Sequence, residues 1–152
     1  MKFLNNYSNR ELNIWAELIL DILVSFYFFP KIFPLIIDGQ LYSEALVGII
    51  ANTIIIAIIY SIFVFGAINT LTKREEKDER DYIYELKSYR IGNIISQVSI
   101  YLLISLIVFN PINQVRLNEF TAPMIAMLLL IITLLSSTGK SLTQLFNYRK
   151  NI

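Results

Sequence analysis

Two carboxylates, Glu17 and Asp21, are the side chains of this chain best placed to do chemistry. Their four-residue spacing puts them on one face of a helix, and both lie within a long apolar run, residues 14–37. An ionised carboxylate at membrane depth costs at least about 2.5–3.5 kcal/mol on insertion scales, so each needs a partner or a proton. The pair therefore predicts a polar site inside a membrane-spanning helix.

Helix depth indicates which groups lie beside these carboxylates. At about 1.5 Å per residue, Glu17 lies roughly one turn into the membrane, level with Lys140, and Asp21 lies roughly two turns in, level with Gln97 and residues 133–137. We therefore expect an intramembrane polar layer of Glu17, Asp21 and Gln97, with Gln97 as the favoured neighbour of Asp21. Its role stays open between a packing contact, a site for an ion or a proton, and recognition of a substrate or partner.

The residue types that are missing exclude most catalytic chemistry. The chain has no cysteine and no histidine, which removes thiolate chemistry, imidazole bases, haem ligation by histidine and the usual zinc sites. It also lacks a glycine-rich phosphate loop and any recognisable arrangement of a nucleophile with a base. We therefore expect no enzyme, no catalytic residues, no cofactor and no metal site.

Four long apolar runs predict the fold class. They cover residues 14–37, 45–71, 91–111 and 120–139, and each is long enough to cross a hydrocarbon core of roughly 30 Å as a helix. Charged residues make up 16% of the chain, against about 25% in a soluble domain. We predict an all-α, four-helix transmembrane bundle that forms one membrane domain over residues 1–152, with helices at about 14–37, 45–71, 79–110 and 121–140.

The basic residues set the expected orientation. Eleven of the 13 Lys and Arg residues fall in three segments that share one side of the membrane: Lys2, Arg10, Lys73, Arg74, Lys77, Arg80, Lys87, Arg90, Lys140, Arg149 and Lys150. The positive-inside rule then places both termini, the connection 72–90 and the tail 141–152 in the cytoplasm. Lys31 lies within the first run, and its long stem can carry the ammonium to the opposite headgroups. Acidic residues interleave with the basic ones, which argues against nucleic-acid binding.

The cytoplasmic connection carries signals for a helix. Asp78 followed three residues later by Asp81 can cap a helix start, and no proline intervenes before Pro111. The third helix is therefore expected to extend into the cytoplasm by about three turns; the alternative is a hairpin lying on the membrane surface. In the first helix, Pro30 and Pro34 predict a kink or an early end near residue 29.

An apolar stripe follows on the predicted extension. Its members fall at helical spacing and are candidates for partner binding: Tyr82, Ile83, Leu86 and Tyr89. We expect this stripe to pack on another cytoplasmic element, the tail around residues 145–148.

The same segment resembles a signature of small prokaryotic multi-pass membrane proteins whose biochemical role is unassigned. The resemblance rests on the Asp-Glu-Arg motif before a later span, on the residues that follow it, and on a basic, aromatic tail: Asp78, Glu79, Arg80, Lys87, Ser88 and residues 148–150. It implies several membrane spans and products encoded beside small helix-turn-helix repressors. It implies no catalytic residues.

Two functional hypotheses follow. The first is a membrane-anchored interaction, regulatory or immunity-type protein that acts through its cytoplasmic helix on a cytoplasmic protein partner or within a membrane complex. The second is a small transporter or channel subunit that uses a polar layer centred on Asp21; four helices are few for a monomeric transporter, so this version predicts a homo-oligomer. The abundance of isoleucine, asparagine and lysine favours a bacterial source, and the expected location is the bacterial cytoplasmic membrane.

Overall fold

The computed structural model describes residues 9–41, 44–71, 78–109 and 121–150. Within them the chain forms four helices: Asn9–Ile37, Glu44–Leu71, Glu79–Phe109 and Ala122–Lys150. Each helix is long and apolar enough to cross a membrane. This confirms the predicted all-α architecture of four helices, whereas the orientation with both termini in the cytoplasm stays a prediction. Parts of three predicted elements lie outside the described residues: residues 72–77 of the connection, residue 110 of the third helix and residues 151–152 of the tail.

Successive helices run antiparallel and give the bundle two ends. The basal end holds the starts of the first and third helices and the ends of the second and fourth; the distal end holds the opposite termini. The first helix packs between the second and the fourth, whereas the third packs along the fourth alone among the described residues. The helices are therefore ordered third, fourth, first, second, with the second touching the fourth at the distal end.

Two of the helices extend beyond their predicted bounds at the basal end. The first begins at Asn9 rather than near residue 14, and the Asn13 amide donates to the Asn9 backbone carbonyl at 2.9 Å within its first turn. The fourth continues through Lys150 rather than ending near residue 140. No proline follows Gly139 to stop it. The apolar runs marked the membrane segments, but helical hydrogen bonding continues through the polar residues that flank them.

The first helix also passes both of its prolines and ends at a glycine. It is continuous to Ile37, the predicted bound; of the two outcomes expected near residue 29, the early end is excluded and the kink stays a prediction. Gly39 adopts a positive φ of 66°. Its N–H donates to the Ile36 carbonyl, and the N–H of Gln40 donates to the Leu35 carbonyl at 2.9 Å. This is a Schellman motif, which requires a left-handed residue after the helix and therefore favours glycine.

Two buried clusters hold the bundle together. The distal cluster joins the first, second and fourth helices through Phe28, Ile32, Leu46 and Met127. The basal cluster consists of Ile14, Leu18 and Leu145, with Trp15 and Tyr148 packed against it, and so draws its described members from the first and fourth helices. The second helix is therefore packed into the interior at the distal end and less closely at the basal end.

Small residues bring the third and fourth helices close together. The Ser136 hydroxyl donates to the Gly92 carbonyl at 2.8 Å, and a Cβ added at Gly92 would lie 3.3 Å from the Cβ of Lys140. Ser88 and Ser141 are fully buried. A seam of glycine and serine lets two backbones approach closely, as in membrane helices that pack without a hydrophobic driving force.

Candidate functional site

An ion pair between the first and fourth helices lies near the basal end of the bundle. The Lys140 ammonium is 2.9 Å from Glu17 Oε2 and 3.2 Å from Oε1, and the Ser141 hydroxyl donates to the same carboxylate at 3.3 Å. The ammonium also lies 4.7 Å from the centre of the Tyr89 ring, within the range of a cation–π contact. Glu17 is therefore paired within the bundle, and Lys140 ties the first, third and fourth helices together.

Asp21 is 5% exposed and lies in the interior of the bundle, one turn further from the basal end. The Thr138 hydroxyl donates to its Oδ2 at 3.4 Å, but that hydroxyl also lies 2.7 Å from the Leu134 carbonyl. A hydroxyl has one proton, and the shorter contact is the better acceptor for it. The Ser137 hydroxyl also interacts with this carboxylate. Among the described residues Asp21 is thus paired with hydroxyl groups and with no cation.

Gln97 does not belong to this polar layer, and the prediction that it neighbours Asp21 was wrong. It is exposed on the third helix, and it follows the fully buried Ser88 by nine residues, which is a rotation of roughly 180° about the helix axis. The third helix packs on the fourth through Ser88, so Gln97 faces the other way. Residue depth also misplaced it, because Asp21 contacts Thr138 and the adjoining residues of the fourth helix, Ser136 and Lys140, lie against Gly92, five residues before Gln97.

The Asp-Glu-Arg motif forms the start of the third helix. Asp78 accepts from the N–H of Glu79 at 2.6 Å, and Asp81 accepts from the N–H of Asp78 at 3.0 Å. The Asp81 contact is one half of a capping box, with aspartate in place of the usual glutamate; the other half is absent, because the Asp78 side chain accepts from Glu79 and the N–H of Asp81 donates to the Asp78 backbone carbonyl. Arg80 Nε lies 3.5 Å from Asp78 Oδ2 on the surface. The motif therefore has a local structural role at the start of the helix.

Asp81 connects three helices at the basal end. It forms an ion pair with Arg10 of the first helix and accepts from the Tyr148 hydroxyl of the fourth at 2.8 Å. Its carboxylate is 17% exposed, which strengthens these contacts relative to a solvated pair. The sequence indicated Asp81 only as a helix cap. Its two distant partners have no sequence signal, because Arg10 and Tyr148 are 71 and 67 residues away.

The apolar stripe of the third helix faces outward, so the expectation that it packs on residues 145–148 was wrong. Tyr82 is 58% exposed, Ile83 44%, Leu86 74% and Tyr89 54%. Residue 148 is contacted instead by Tyr84, whose ring meets the Tyr148 ring edge-on at 5.3 Å between centroids, and the one stripe contact described with the fourth helix is that of Tyr89 with Lys140. The small Ser88 side chain selects the packing face because it permits close approach, and the larger apolar side chains lie on the other face.

Lys31 has a separate local contact near the distal end. Its ammonium lies 3.9 Å from the centre of the Tyr27 ring, one turn earlier on the same helix. This contact places the ammonium on the outer surface of the first helix and away from Asp21.

These features define a class of protein. Four helices long and apolar enough to span a bilayer make this a multi-pass helical membrane protein. Within the described residues no group of three or more Asp and Glu is placed to hold a metal ion. No family model, curated protein or solved structure matches the chain. The resemblance carried by residues 78–80 therefore stays a prediction.

Proposed function

We propose that this protein is a membrane-anchored interaction protein that regulates another membrane protein. Its basal end lies in the cytoplasm of a bacterial cell, in agreement with the positive-inside rule. The contact surface is the outward face of the third helix. The part of that face nearest the basal end is the apolar stripe, which forms an aromatic ridge of four side chains: Tyr82, Ile83, Leu86 and Tyr89.

Exposure of the aromatic ridge is the observation that carries the proposal. Each of its four side chains is between 44% and 74% exposed. They stand on the part of the third helix that exceeds the roughly 20 residues needed to cross the hydrocarbon core, so lipid tails do not account for them. Large apolar side chains grouped on a surface that meets water mark an interaction site. Tyrosine is also prominent among the residues that dominate binding energies.

The ridge is held in place before a partner arrives. On the opposite face of the same helical turns, Asp81 binds Arg10 and Tyr148, and Tyr84 packs on the Tyr148 ring. A surface that is already ordered loses less conformational entropy on binding, and more of the contact energy then appears as affinity.

The form of the ridge indicates the partner's structure. Tyr82, Leu86 and Tyr89 are spaced four and three residues apart, which matches the packing of one helix against another. The exposed Lys87 and Arg90 accompany them and favour acidic residues on the partner. The partner surface that fits is therefore an amphipathic helix with acidic borders.

The same face continues into the membrane-spanning part of the helix. Asn93 and Gln97 follow Leu86 by seven and eleven residues and are both exposed. An amide facing hydrocarbon without a partner is unfavourable, and amides commonly hydrogen-bond across membrane helices. A partner helix that runs beside the ridge and on into the bilayer would satisfy both amides. This supports an integral membrane protein as the partner.

Site-specific photocrosslinking in native membranes tests the proposal. A photoreactive residue placed at Leu86 and, separately, at Gln97 should capture the same second protein. Phe63, 72% exposed on the second helix, is the matched control position and should not capture that protein. Crosslinks only between two copies of this chain would contradict the proposal in favour of self-association. Absence of any protein adduct at both positions would also contradict it.

A small transporter or channel subunit is the second candidate function. Asp21 favours it, since a carboxylate that is 5% exposed among membrane helices and paired with hydroxyl groups rather than with a cation is suited to bind a cation or a proton. An Asp21→Asn variant that abolishes ion flux into liposomes, together with fully active variants of the aromatic ridge, would favour this candidate over the first.

A further inference from the structure

A cavity of about 460 Å³ lies between the first, second and fourth helices, on the basal side of the distal cluster. It lies along the helices between the distal cluster and the basal cluster, where the second helix is packed less closely against the first and fourth. Most of its wall is apolar. The polar side chains that line it are Asp21, Thr53, Ser61, Thr133 and Ser137.

The mouth of the cavity opens on the outer surface of the bundle. Ile54, Ile58 and Ile62 line the cavity and are 49%, 53% and 66% exposed. They lie within the membrane-spanning second helix. A ligand that enters here comes from the lipid phase and needs an apolar body.

The polar groups of the wall are mainly acceptors. The Thr53 hydroxyl donates its proton to the Ile49 carbonyl at 2.7 Å, and the Thr133 hydroxyl donates to the Leu130 carbonyl at 2.8 Å. Each therefore presents only oxygen lone pairs to a ligand. Asp21 adds a carboxylate that accepts a hydrogen bond 3.4 Å long from Thr138 and also interacts with the Ser137 hydroxyl, so a hydroxyl donor of the wall is already directed to it. Such a wall favours a positive group and disfavours an anion.

Lys140, the cation nearest this end of the cavity wall, is already paired with another carboxylate. Lys140 binds both oxygens of Glu17, and no other ammonium or guanidinium of the described residues forms an ion pair with Asp21. A buried carboxylate without a positive partner is unfavourable in a medium of low dielectric. A bound cation would supply that partner.

The second helix changes its winding beside the cavity. Residues Ser61–Phe65 form a π-helical turn, and Ser61 and Ile62 line the cavity wall. Single π-helical turns within α-helices occur frequently at functional sites. This observation is independent of Asp21 and points to the same place.

We propose that this cavity binds a lipophilic organic cation, with the positive centre paired to the Asp21 carboxylate and the apolar groups against the isoleucine wall. Among the described residues Asp21 is the one carboxylate that lines the cavity, so a ligand with a single positive charge balances it. The inference does not depend on the aromatic ridge, which lies on another helix.

Binding of tetraphenylphosphonium to the purified full-length protein in detergent tests the proposal. Tetraphenylborate, an anion of the same shape, is the matched ligand control. The wild-type protein should bind the cation saturably and the anion not at all. Asp21→Asn should weaken binding of the cation at least about tenfold, because the charge pair is lost. Glu44→Gln removes an exposed carboxylate at the start of the second helix and should leave binding unchanged.

A second variant tests the contribution of the apolar cavity space separately from that of the Asp21 charge. Ala57→Phe would fill part of the cavity without altering Asp21 and should also weaken binding; retention of the wild-type thermal stability in each variant shows that the fold is intact. Equal binding of the cation by wild type and Asp21→Asn would overturn the proposal. So would saturable binding of tetraphenylborate, which would show an apolar cavity with no preference for charge. Photocrosslinking at the aromatic ridge does not use this cavity, so the two proposals fail separately.

Discussion

Lys140 Nζ lies 2.9 Å from Glu17 Oε2, and this pair divides the two carboxylates of the first helix into different environments. Glu17 is neutralised by the fourth helix near the basal end. Asp21, one turn further in on the same face, is 5% exposed and is paired with the hydroxyls of Ser137 and Thr138 rather than with a cation. Two acidic residues that look equivalent in the sequence thus have different roles: Glu17 holds helices together, and Asp21 faces a cavity.

Removal of one member of the ion pair should destabilise the bundle. Glu17→Gln leaves the Lys140 ammonium partly buried without its counter-charge, and we expect a loss of about 1–3 kcal/mol in the free energy of unfolding in mixed micelles. Glu44→Gln is the control for loss of a carboxylate. The double variant Glu17→Gln, Lys140→Gln should be less destabilised than Glu17→Gln. A double variant as unstable as the sum of the single variants would contradict a direct interaction.

The close approach of the third and fourth helices at Gly92 should be sensitive to side-chain size. Gly92→Leu places a side chain where even a Cβ would lie 3.3 Å from Lys140 Cβ and the Ser136 carbonyl, and we expect a loss of about 1–3 kcal/mol. Gly48→Leu is the matched control, since nothing lies within 4 Å of a Cβ built there. Thermal unfolding in detergent measures both. Equal melting temperatures for the two variants would contradict the prediction, because they would show that the third and fourth helices can move apart at Gly92 without loss of stability.

Asp81 should control the order of the helical extension. Asp81→Asn removes the charge that binds Arg10 and weakens the helix cap. The free energy needed to open residues 79–90 locally should therefore fall by about 1–3 kcal/mol. Hydrogen exchange at these residues should accelerate by roughly tenfold or more, with the rest of the third helix little changed. The control is Glu79→Gln, an exposed residue of the same turn. Unchanged exchange in Asp81→Asn would contradict the role assigned to Asp81.

Two neighbouring tyrosines should separate partner binding from stability. Tyr82→Ala changes the aromatic ridge, where the side chain is 58% exposed, and should reduce partner capture with a smaller loss of stability than Tyr84→Ala causes. Tyr84→Ala removes the ring that packs on Tyr148 and should destabilise the bundle. Thermal melts and crosslinking yields from the same membranes measure the two effects. Full partner capture by Tyr82→Ala would remove the ridge from the interface.

The orientation of the bundle can be measured with single cysteines, because the chain has none of its own. A membrane-impermeant maleimide should label Gln40→Cys at the distal end in intact cells. Leu86→Cys, at a position 74% exposed near the basal end, should be labelled only after permeabilisation. The positive-inside rule is the reason for this expectation. The reverse pattern would place the aromatic ridge outside the cell and exclude a cytoplasmic contact.

The sequence by itself determined the number and kind of the elements. The length of an apolar run decides whether a helix spans a bilayer, and this property is local, so four runs in the sequence became four helices in the structure. The start of the third helix was equally local: Asp78 and Asp81 are three residues apart, and their side chains satisfy the first N–H groups of the helix that begins at Glu79.

Only the tertiary structure decided which faces meet. The neighbours of Gln97 could not be read from the sequence, because the order and register of the helices result from pairwise packing over their whole lengths. Close packing favoured the side of the third helix with Ser88 and Gly92 and left the apolar stripe outside. Within the bilayer a helix gains little by burying large apolar groups, since lipid is equally apolar, so small residues set the packing face; the stripe lies beyond the span and stays outside because it is on a different face from Ser88 and Gly92. Hydrophobicity therefore marks the spans of such a protein, and small residues with their hydrogen bonds select the contacts between them.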